Sequence, residues 1–249
     1  MLNQTKMMLS VLIALLSLNI GLAYAEVDGW VPEKGSIEET SKKKKKSKKV
    51  SLDPNLPMVM ILGDSISMGY MGAVKKELAK KANVIHNPGN AGGTTKTLQF
   101  IDKWLKMQKW DVIHFNLGLH DLKRVTEAGG AEGSDNKDDP FQADLPTYSK
   151  NLEVIVKKLQ ASGAKLVFAT TTPFPEGVSP YRDPVDVPKY NAAAVAIMEK
   201  YKIPVNDLYG LIKPHLAEVQ KPKNVHFRGG GSSKMGKQVA AEIKKLLAE

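Results

Sequence analysis

The chain has 249 residues, of which 42% are hydrophobic and 25% are charged, so it can bury a full core and has the composition of a globular protein. The sequence contains no cysteine, which excludes disulfides, zinc–thiolate sites and cysteine nucleophiles. The formal net charge of +10 would suit a nucleic-acid binder, but the positive residues are unevenly placed, and we expect no specific nucleic-acid partner.

Residues 1–25 have the pattern of a secretory signal peptide. Lys6 gives a positive start, a nearly unbroken apolar run follows, and Ala23, Tyr24 and Ala25 form a small–x–small cleavage site. The alternative is an uncleaved membrane anchor, but the apolar run is short for a span, which needs about 20 residues. We therefore exclude residues 1–25 from the fold and expect a secreted or periplasmic protein.

Residues 26–57 are predicted to form a polar linker. The segment contains Pro and Gly, and seven lysines lie between Lys42 and Lys49. Like charges at this density repel one another and stay hydrated. Two interpretations remain open: a solvated linker, or a patch that holds the protein on an anionic lipid or polysaccharide at a cell surface.

From Met58 onwards, short apolar segments rich in β-branched residues alternate with helical patterns. The near-continuous apolar character of these segments is typical of strands that are buried on both faces. The predicted strands are residues 58–63, 83–86, 111–117, 165–171 and 203–207.

Helices are predicted between the strands from the spacing of apolar residues. One helix face is formed by Leu152, Ile155, Val156 and Leu159, and Gly163 is expected to end that helix. The same spacing recurs near the C-terminus, at Val239, Ile243, Leu246 and Leu247. Residues 58–249 are therefore expected to form an α/β domain, a three-layer α/β/α sandwich around a parallel sheet of about five strands.

Polar motifs follow the predicted strands, at the edge where parallel sheets bind ligands. "GDS" (63–65) follows the first strand, "NPGNAGGTT" (87–95) the second and "GLHD" (118–121) the third. "NVHF" (224–227) lies before the last helix. Because the carboxyl ends of parallel strands share one edge, we expect these motifs to lie close together.

Taken in this order, the four motifs resemble the conserved blocks of the SGNH or GDSL hydrolases, and the resemblance covers most of residues 58–249. It implies a flavodoxin-like fold, with Ser65 as nucleophile and His226 as general base. It also implies that the backbone N–H groups of Ser65 and Gly92, together with the residue at position 120, form an oxyanion hole. Elementary chemistry agrees, since a serine hydroxyl needs a base and the tetrahedral intermediate needs donors aimed at its oxyanion.

Two positions depart from the family pattern. His120 stands where the family has an asparagine, so an imidazole N–H would have to serve as the third donor. The family places an aspartate three residues before the base, but Lys223 occupies that position here and Asn224 follows it. Three outcomes remain open: a backbone carbonyl orients His226, a distant acid such as Asp183 or Asp186 does so, or the protein is weakly active or inactive.

Other singled-out residues are expected to be structural. Asp64 is interpreted as a turn or helix-cap carboxylate, and His86 and His114 as core or edge histidines. No metal-binding motif is present, so we expect no metal and no cofactor. The "GGGSS" segment (229–233) lacks P-loop spacing and is predicted to be a flexible entry to the last helix.

Residues 124–148 form a long polar segment after the third motif. Segments of this length within a compact domain are often functional. This one is expected either to line or cover the substrate cleft or to be a disordered insertion.

The resemblance and the residues together predict a secreted serine esterase. Its expected substrate is a small-molecule or polysaccharide ester, with an O-acetyl group on a carbohydrate favoured by the resemblance to secreted family members. Two alternatives are a catalytically weak or inactive protein that binds carbohydrate on the same fold, and an esterase acting on lipids or lysophospholipids.

Overall fold

The computed structural model describes residues 52–248. The predicted signal peptide and the Lys42–Lys49 cluster lie outside the described residues. The end of the predicted linker belongs to the folded unit, because Asn83 Nδ2 donates to the carbonyl oxygens of Asp53 (2.7 Å) and Leu56 (3.0 Å). Within the described part of the chain, no helix is long and apolar enough to span a bilayer.

A five-stranded parallel sheet with the order β2-β1-β3-β4-β5 forms the centre of the fold. Every residue of β3 is buried, and β1 and β4 are buried except at their first residue, as the apolar segments predicted. The strands are β1 (Met58–Leu62), β2 (Asn83–His86), β3 (Val112–Phe115), β4 (Lys165–Ala169) and β5 (Val205–Asn206).

Between residues 52 and 248, seven α-helices accompany the sheet. Helices α1 and α7 pack against each other, while α2, α3 and α4 pack in series, which gives the two outer layers of the expected α/β/α sandwich. The helices are α1 (Ser65–Glu77), α2 (Thr94–Leu105), α3 (Leu145–Ala161), α4 (Val187–Lys200), α5 (Leu208–Ile212), α6 (Leu216–Val219) and α7 (Gly229–Ala248).

The predicted class, sheet and helix faces are confirmed. Strands β3, β4 and β5 are shorter than the predicted segments, and the polar loop residues Asn116, Thr170 and Asp207 follow their ends. Leu152, Ile155, Val156 and Leu159 are all fully buried on α3. Gly163 follows that helix with φ of +77°, a conformation that favours glycine.

The prediction of a flexible "GGGSS" segment is wrong, because Gly229 begins α7 and the segment forms its first turn. Glycine is a poor helix former, but here its lack of a side chain allows close packing. A Cβ at Gly231 would lie 2.9 Å from Cβ of Val219 and 3.2 Å from Cβ of Phe227. The packing of this turn against its neighbours therefore overrides its low intrinsic helix propensity.

The segment 124–148 is not a disordered insertion. Arg124 forms an isolated antiparallel bridge with Phe141, and its guanidinium lies 3.6 Å from the centre of that ring. Val125 is fully buried and bridges Gly133. The N–H of Arg124 donates to the carbonyl oxygen of Tyr181 (2.9 Å), so the segment packs against the loop before α4.

The contact between α1 and α7 yields a stability prediction. A Cβ at Gly236 would lie 2.5 Å from Cβ of Ala73 and 2.8 Å from the carbonyl oxygen of Tyr70. Gly236→Ala is therefore expected to lower the free energy of unfolding by about 1–3 kcal/mol through overpacking. Gly72 of α1 has open space around it, so Gly72→Ala should raise that free energy by up to about 1 kcal/mol.

Urea unfolding of the two variants and the wild type measures both effects. The opposite signs are the informative result, because both substitutions add the same methyl group to a helix. Equal stabilisation by the two variants would contradict the close packing of α1 on α7.

Candidate active site

The turn between β1 and α1 presents Ser65 at the carboxyl edge of the sheet. Asp64 is the N-cap of α1, with its carboxylate accepting from the N–H of Ile66 (2.9 Å), so its predicted role as a cap is confirmed. A Cβ at Gly63 would lie 2.7 Å from Oδ1 of Asn116, which leaves little room for a side chain there. Ser65 is the first helical residue, and its N–H has no acceptor within the helix.

The structure brings Ser65 and His226 together although 161 residues separate them in sequence. Nε2 of His226 lies 2.8 Å from Oγ of Ser65. The loop that carries His226 is held by Gln220, whose side-chain amide donates to the carbonyl oxygens of Asn224 (3.1 Å) and Val225 (2.8 Å). The histidine is therefore positioned by its own loop, at the edge of the sheet predicted from the motifs.

Asn224 contacts the other nitrogen of the histidine ring. Its Oδ1 lies 2.7 Å from Nδ1 of His226 and also accepts from the backbone N–H of His226 at 2.9 Å. A backbone N–H can only donate, so the atom facing it must be the amide oxygen rather than the amide nitrogen. The same oxygen can only accept from Nδ1, which therefore carries the proton and leaves Nε2 free to accept from the Ser65 hydroxyl.

This arrangement answers which group orients His226. Within residues 52–248, neither a backbone carbonyl nor a distant acid is hydrogen-bonded to the ring: Asp183 accepts from the N–H of Val185 (3.0 Å), and Asp186 pairs with Lys189 (2.8 Å). The orienting residue is Asn224. Sequence reasoning passed over it because it sought an acid, although its place two residues before the histidine was visible.

The electrostatic surroundings favour a neutral His226. Burial, Lys221 and Arg182, in that order, lower the pKa of His226 below its usual value of 6.5. No carboxylate is hydrogen-bonded to the ring among residues 52–248 to oppose them. A neutral imidazole is the form that can accept a proton.

The loop after β2 places Gly92 beside the Ser65 turn. The N–H of Ala91 donates to the carbonyl oxygen of Gly63 at 3.0 Å, which docks the loop on the turn. Gly92 has φ of +68°, a conformation suited to glycine. Its N–H already donates to Oδ1 of Asn90 at 2.8 Å, so this expected oxyanion donor has an internal partner.

His120 lies near enough to His226 for charge on His226 to lower the pKa of His120. The adjacent Asp121 anchors its loop by accepting from the N–H (2.8 Å) and the hydroxyl (2.6 Å) of Thr94 at the start of α2. Burial, with smaller effects of Arg182 and other cations, lowers the pKa of His120 to about 3. The ring is therefore neutral and keeps one N–H, and it makes no hydrogen bond to the part of the protein that the structure describes.

Arg182 is a site residue that sequence reasoning missed. It is 5% exposed, its Nε donates to the carbonyl oxygen of Leu119 (2.8 Å) and its Nη1 donates to that of Pro180 (2.9 Å). It is thus attached to the backbone immediately before His120. The sequence offers Asp183 and Asp186 of the same loop as candidate acids, but Arg182 is the residue whose charge helps to lower the pKa values of His226 and His120.

His86 and His114 have the structural roles predicted for them. His86 bonds to the hydroxyl of Ser67 (2.7 Å) and the carbonyl oxygen of Asn87 (2.8 Å), and buried His114 lies 3.2 Å from the side-chain amide of Asn206. Among the described residues, no group of three or more histidine or acidic side chains could hold a metal ion.

Comparison with known proteins gives a family match and several structural relatives. The model of the GDSL-like lipase/acylhydrolase family matches residues 61–232. No curated protein sequence matches significantly. A lipase/acylhydrolase from Enterococcus faecalis aligns with a TM-score of 0.64 and 20% identity, covering 76% of this chain and 96% of the other.

Two further solved structures share the fold. The acetyl xylan esterase AlAXEase has a TM-score of 0.59 and 14% identity, and the alignment covers 75% of this chain and 99% of that one. Est24, a carbohydrate acetylesterase from Sinorhizobium meliloti, has a TM-score of 0.61 and 12% identity, covering 76% and 99%.

Because Asn224 is a neutral partner of His226, placing a negative charge at position 224 should change the pKa of His226. Asn224→Asp places a carboxylate at hydrogen-bond distance from Nδ1 and favours the imidazolium, so the pKa of His226 should rise by about 1–3 pH units. NMR titration of the ring protons measures this value. Asn224→Ala removes the partner without adding charge and serves as the control. An equal rise in both variants would contradict direct contact between residue 224 and the ring.

Proposed function

Since the chain belongs to the GDSL-like lipase/acylhydrolase family, a family of ester hydrolases, we propose that it hydrolyses an O-acetyl ester on a carbohydrate through Ser65 and His226. The single observation that carries the proposed mechanism is the 2.8 Å contact between the Ser65 hydroxyl and Nε2 of His226. The likeness to an acetyl xylan esterase and a carbohydrate acetylesterase supports the choice of ester. A secreted location is part of this proposal and rests on residues 1–25.

The proposed reaction has two acyl-transfer steps. His226 Nε2 takes the hydroxyl proton as Ser65 Oγ attacks the ester carbonyl carbon, and the resulting imidazolium gives that proton to the sugar oxygen as its bond to the acyl group breaks. Water then attacks the acyl-serine with His226 as base. The proton that His226 takes from this water passes to Ser65 Oγ as the serine–acyl bond breaks and acetic acid leaves, so the enzyme is regenerated without a cofactor.

Three donors are proposed for the oxyanion. The N–H of Ser65 has no partner within its helix, and the ring of His120 can supply a neutral N–H in place of the family asparagine. The N–H of Gly92 becomes available when the Asn90 side chain turns away from it. One such donor is worth about 3–4 kcal/mol in the transition state, so this rearrangement affects the rate strongly.

An asparagine in the orienting position retains part of the function of an aspartate. In the serine-protease triad, replacing the aspartate by asparagine costs about 10⁴ in kcat because the histidine adopts the wrong tautomer. Here the backbone N–H of His226 fixes the orientation of the Asn224 amide, and the correct tautomer follows. What Asn224 lacks is the negative charge that would stabilise the imidazolium. These contacts favour a working, slow dyad over an inactive binding protein.

Removal of either member of the dyad should abolish activity. Ser65→Ala and His226→Ala are each expected to lower kcat for p-nitrophenyl acetate by at least about a thousandfold. Ser67 and His86 offer a matched control, since they form another serine–histidine hydrogen bond of 2.7 Å, with Ser67 fully buried. Ser67→Ala should keep kcat within about tenfold of the wild type. Retained activity in Ser65→Ala would overturn the proposed mechanism.

The pH profile tests the role of Asn224. His226 must be neutral to act as a base, so the rate of the wild type should fall as pH drops through a pKa below 6.5. Asn224→Asp should raise kcat about tenfold at neutral pH, because it stabilises the imidazolium, and should move the acidic limb to higher pH. Asn224→Ala should lower kcat. An acidic limb that is identical in wild type and Asn224→Asp would count against His226 as the titrating base.

A further inference from the structure

A pocket of about 300 Å³ opens beside the loop that carries Gly92. One wall is formed by loop residues 88–90. The other wall is the outer face of α2, with the side chains of Lys96, Phe100, Lys103 and Trp104. The mechanism proposed above uses none of these four side chains of α2.

An exposed aromatic face lies in the pocket. The rings of Phe100 and Trp104 are stacked, with centroids 5.9 Å apart and planes inclined by 20°. Trp104 is 3% exposed, whereas Phe100 is 40% exposed, so the buried indole supports a phenyl ring that water can reach. A rigid apolar face of this kind is typical of ligand pockets, and a sugar can place the C–H groups of its ring on it.

Two lysines give the pocket a positive charge. Neither Lys96 nor Lys103 forms an ion pair with any residue between 52 and 248. The neighbouring acid, Asp102, does not neutralise them, because it pairs with Lys158 at 2.8 Å. The charge of the pocket is therefore available to an anionic ligand.

The pocket shares residues with the proposed reaction centre. The side chain of Lys96 covers Gly92, with Cδ 3.1 Å from where a Cβ at Gly92 would lie. Asn90 lines the pocket and also accepts from the N–H of Gly92. A molecule in the pocket would thus contact the loop that the proposed function assigns to the oxyanion.

The positive charge of the pocket acts on the proposed reaction centre through Lys96. Lys96, Arg182 and Lys123 all contribute to lowering the pKa of His120, and Lys221 and Arg182 do so for His226. Of these cations, Arg182 and Lys123 are buried, so the positively charged surface that a substrate meets is that of the pocket lysines, Lys96 and Lys103. A polyanion fits this surface better than a neutral polymer does.

We propose that this pocket is a subsite for an anionic sugar residue, which stacks on Phe100 and places its carboxylate or sulfate against Lys96 and Lys103. The proposal rests on the function proposed above and narrows its substrate to an acylated acidic carbohydrate. The acylated sugar would then lie over Ser65, and the neighbouring anionic sugar would occupy the pocket.

Binding to the full-length Ser65→Ala variant tests the subsite independently of catalysis. Trigalacturonic acid is the probe, and isothermal titration calorimetry gives its Kd. Adding Phe100→Ala should weaken binding about tenfold and adding Lys103→Gln about threefold, whereas Phe100→Trp should keep the Kd within about twofold. Lys237→Gln removes an equal charge from the exposed side of α7 and should also leave the Kd within twofold.

Xylotriose and a sulfated chondroitin trisaccharide distinguish the ligand chemistries. Xylotriose should bind more weakly than trigalacturonic acid and be insensitive to Lys103→Gln. Binding of the sulfated probe, with the same dependence on Lys103, would assign the subsite to sulfate as well as carboxylate. Equal losses in Lys103→Gln and Lys237→Gln, or no loss in Phe100→Ala, would overturn the subsite.

The binding test of the pocket and the activity test of the proposed function can fail independently of each other. Hydrolysis of p-nitrophenyl acetate by the wild type but not by Ser65→Ala reports on the dyad alone. Tight binding of trigalacturonic acid without esterase activity would support the pocket and reject the reaction. Esterase activity with no measurable binding of any acidic probe would reject the pocket and keep the reaction.

Discussion

The hydrogen-bonded chain from Asn224 through His226 to Ser65 is the interaction on which the site depends. One amide oxygen accepts from both the backbone N–H and the ring Nδ1 of His226, and this double contact determines which ring nitrogen faces the serine. No negative charge is needed for that selection. The geometry thus separates two tasks that an aspartate combines, orientation of the base and stabilisation of its charged form.

The parallel sheet makes this chain of contacts possible. Its strands end at one edge, so the turn after β1 and the loops after β2 and β3 meet there, while the loop before α7 brings His226 from far along the sequence. Two buried carboxylates stabilise this edge: Asp64 caps α1 and Asp121 holds the start of α2. Burial raises the pKa of each carboxyl group to about 6. Each accepts a hydrogen bond from a backbone N–H group, and neither is hydrogen-bonded to the ring of His226.

Apolar periodicity in the sequence predicted the layers and the strands, because buried strands and helix faces leave a strong periodic signal. The meeting of Ser65 with His226 was predicted from the motifs that follow the strands and from the family resemblance that they carry. The sequence did not predict the helical first turn of α7. The low helix propensity of glycine can be read from neighbouring residues, whereas the packing of Gly231 on Val219 is a contact with another helix that the local sequence does not show. It also missed Arg182 and the role of Asn224, which depend on loop conformations. A hydrogen bond from a loop side chain leaves no periodic signal in the sequence.

The most direct test of the central contact is covalent labelling with a fluorophosphonate, which reacts with serines that an adjacent base has activated. Peptide mass spectrometry of the labelled wild type should find one adduct, on Ser65, and His226→Ala should slow its formation by at least about a hundredfold, in line with the usual contribution of a general base. Labelling of Ser65 at an unchanged rate in His226→Ala, or labelling of another serine in its place, would contradict the account.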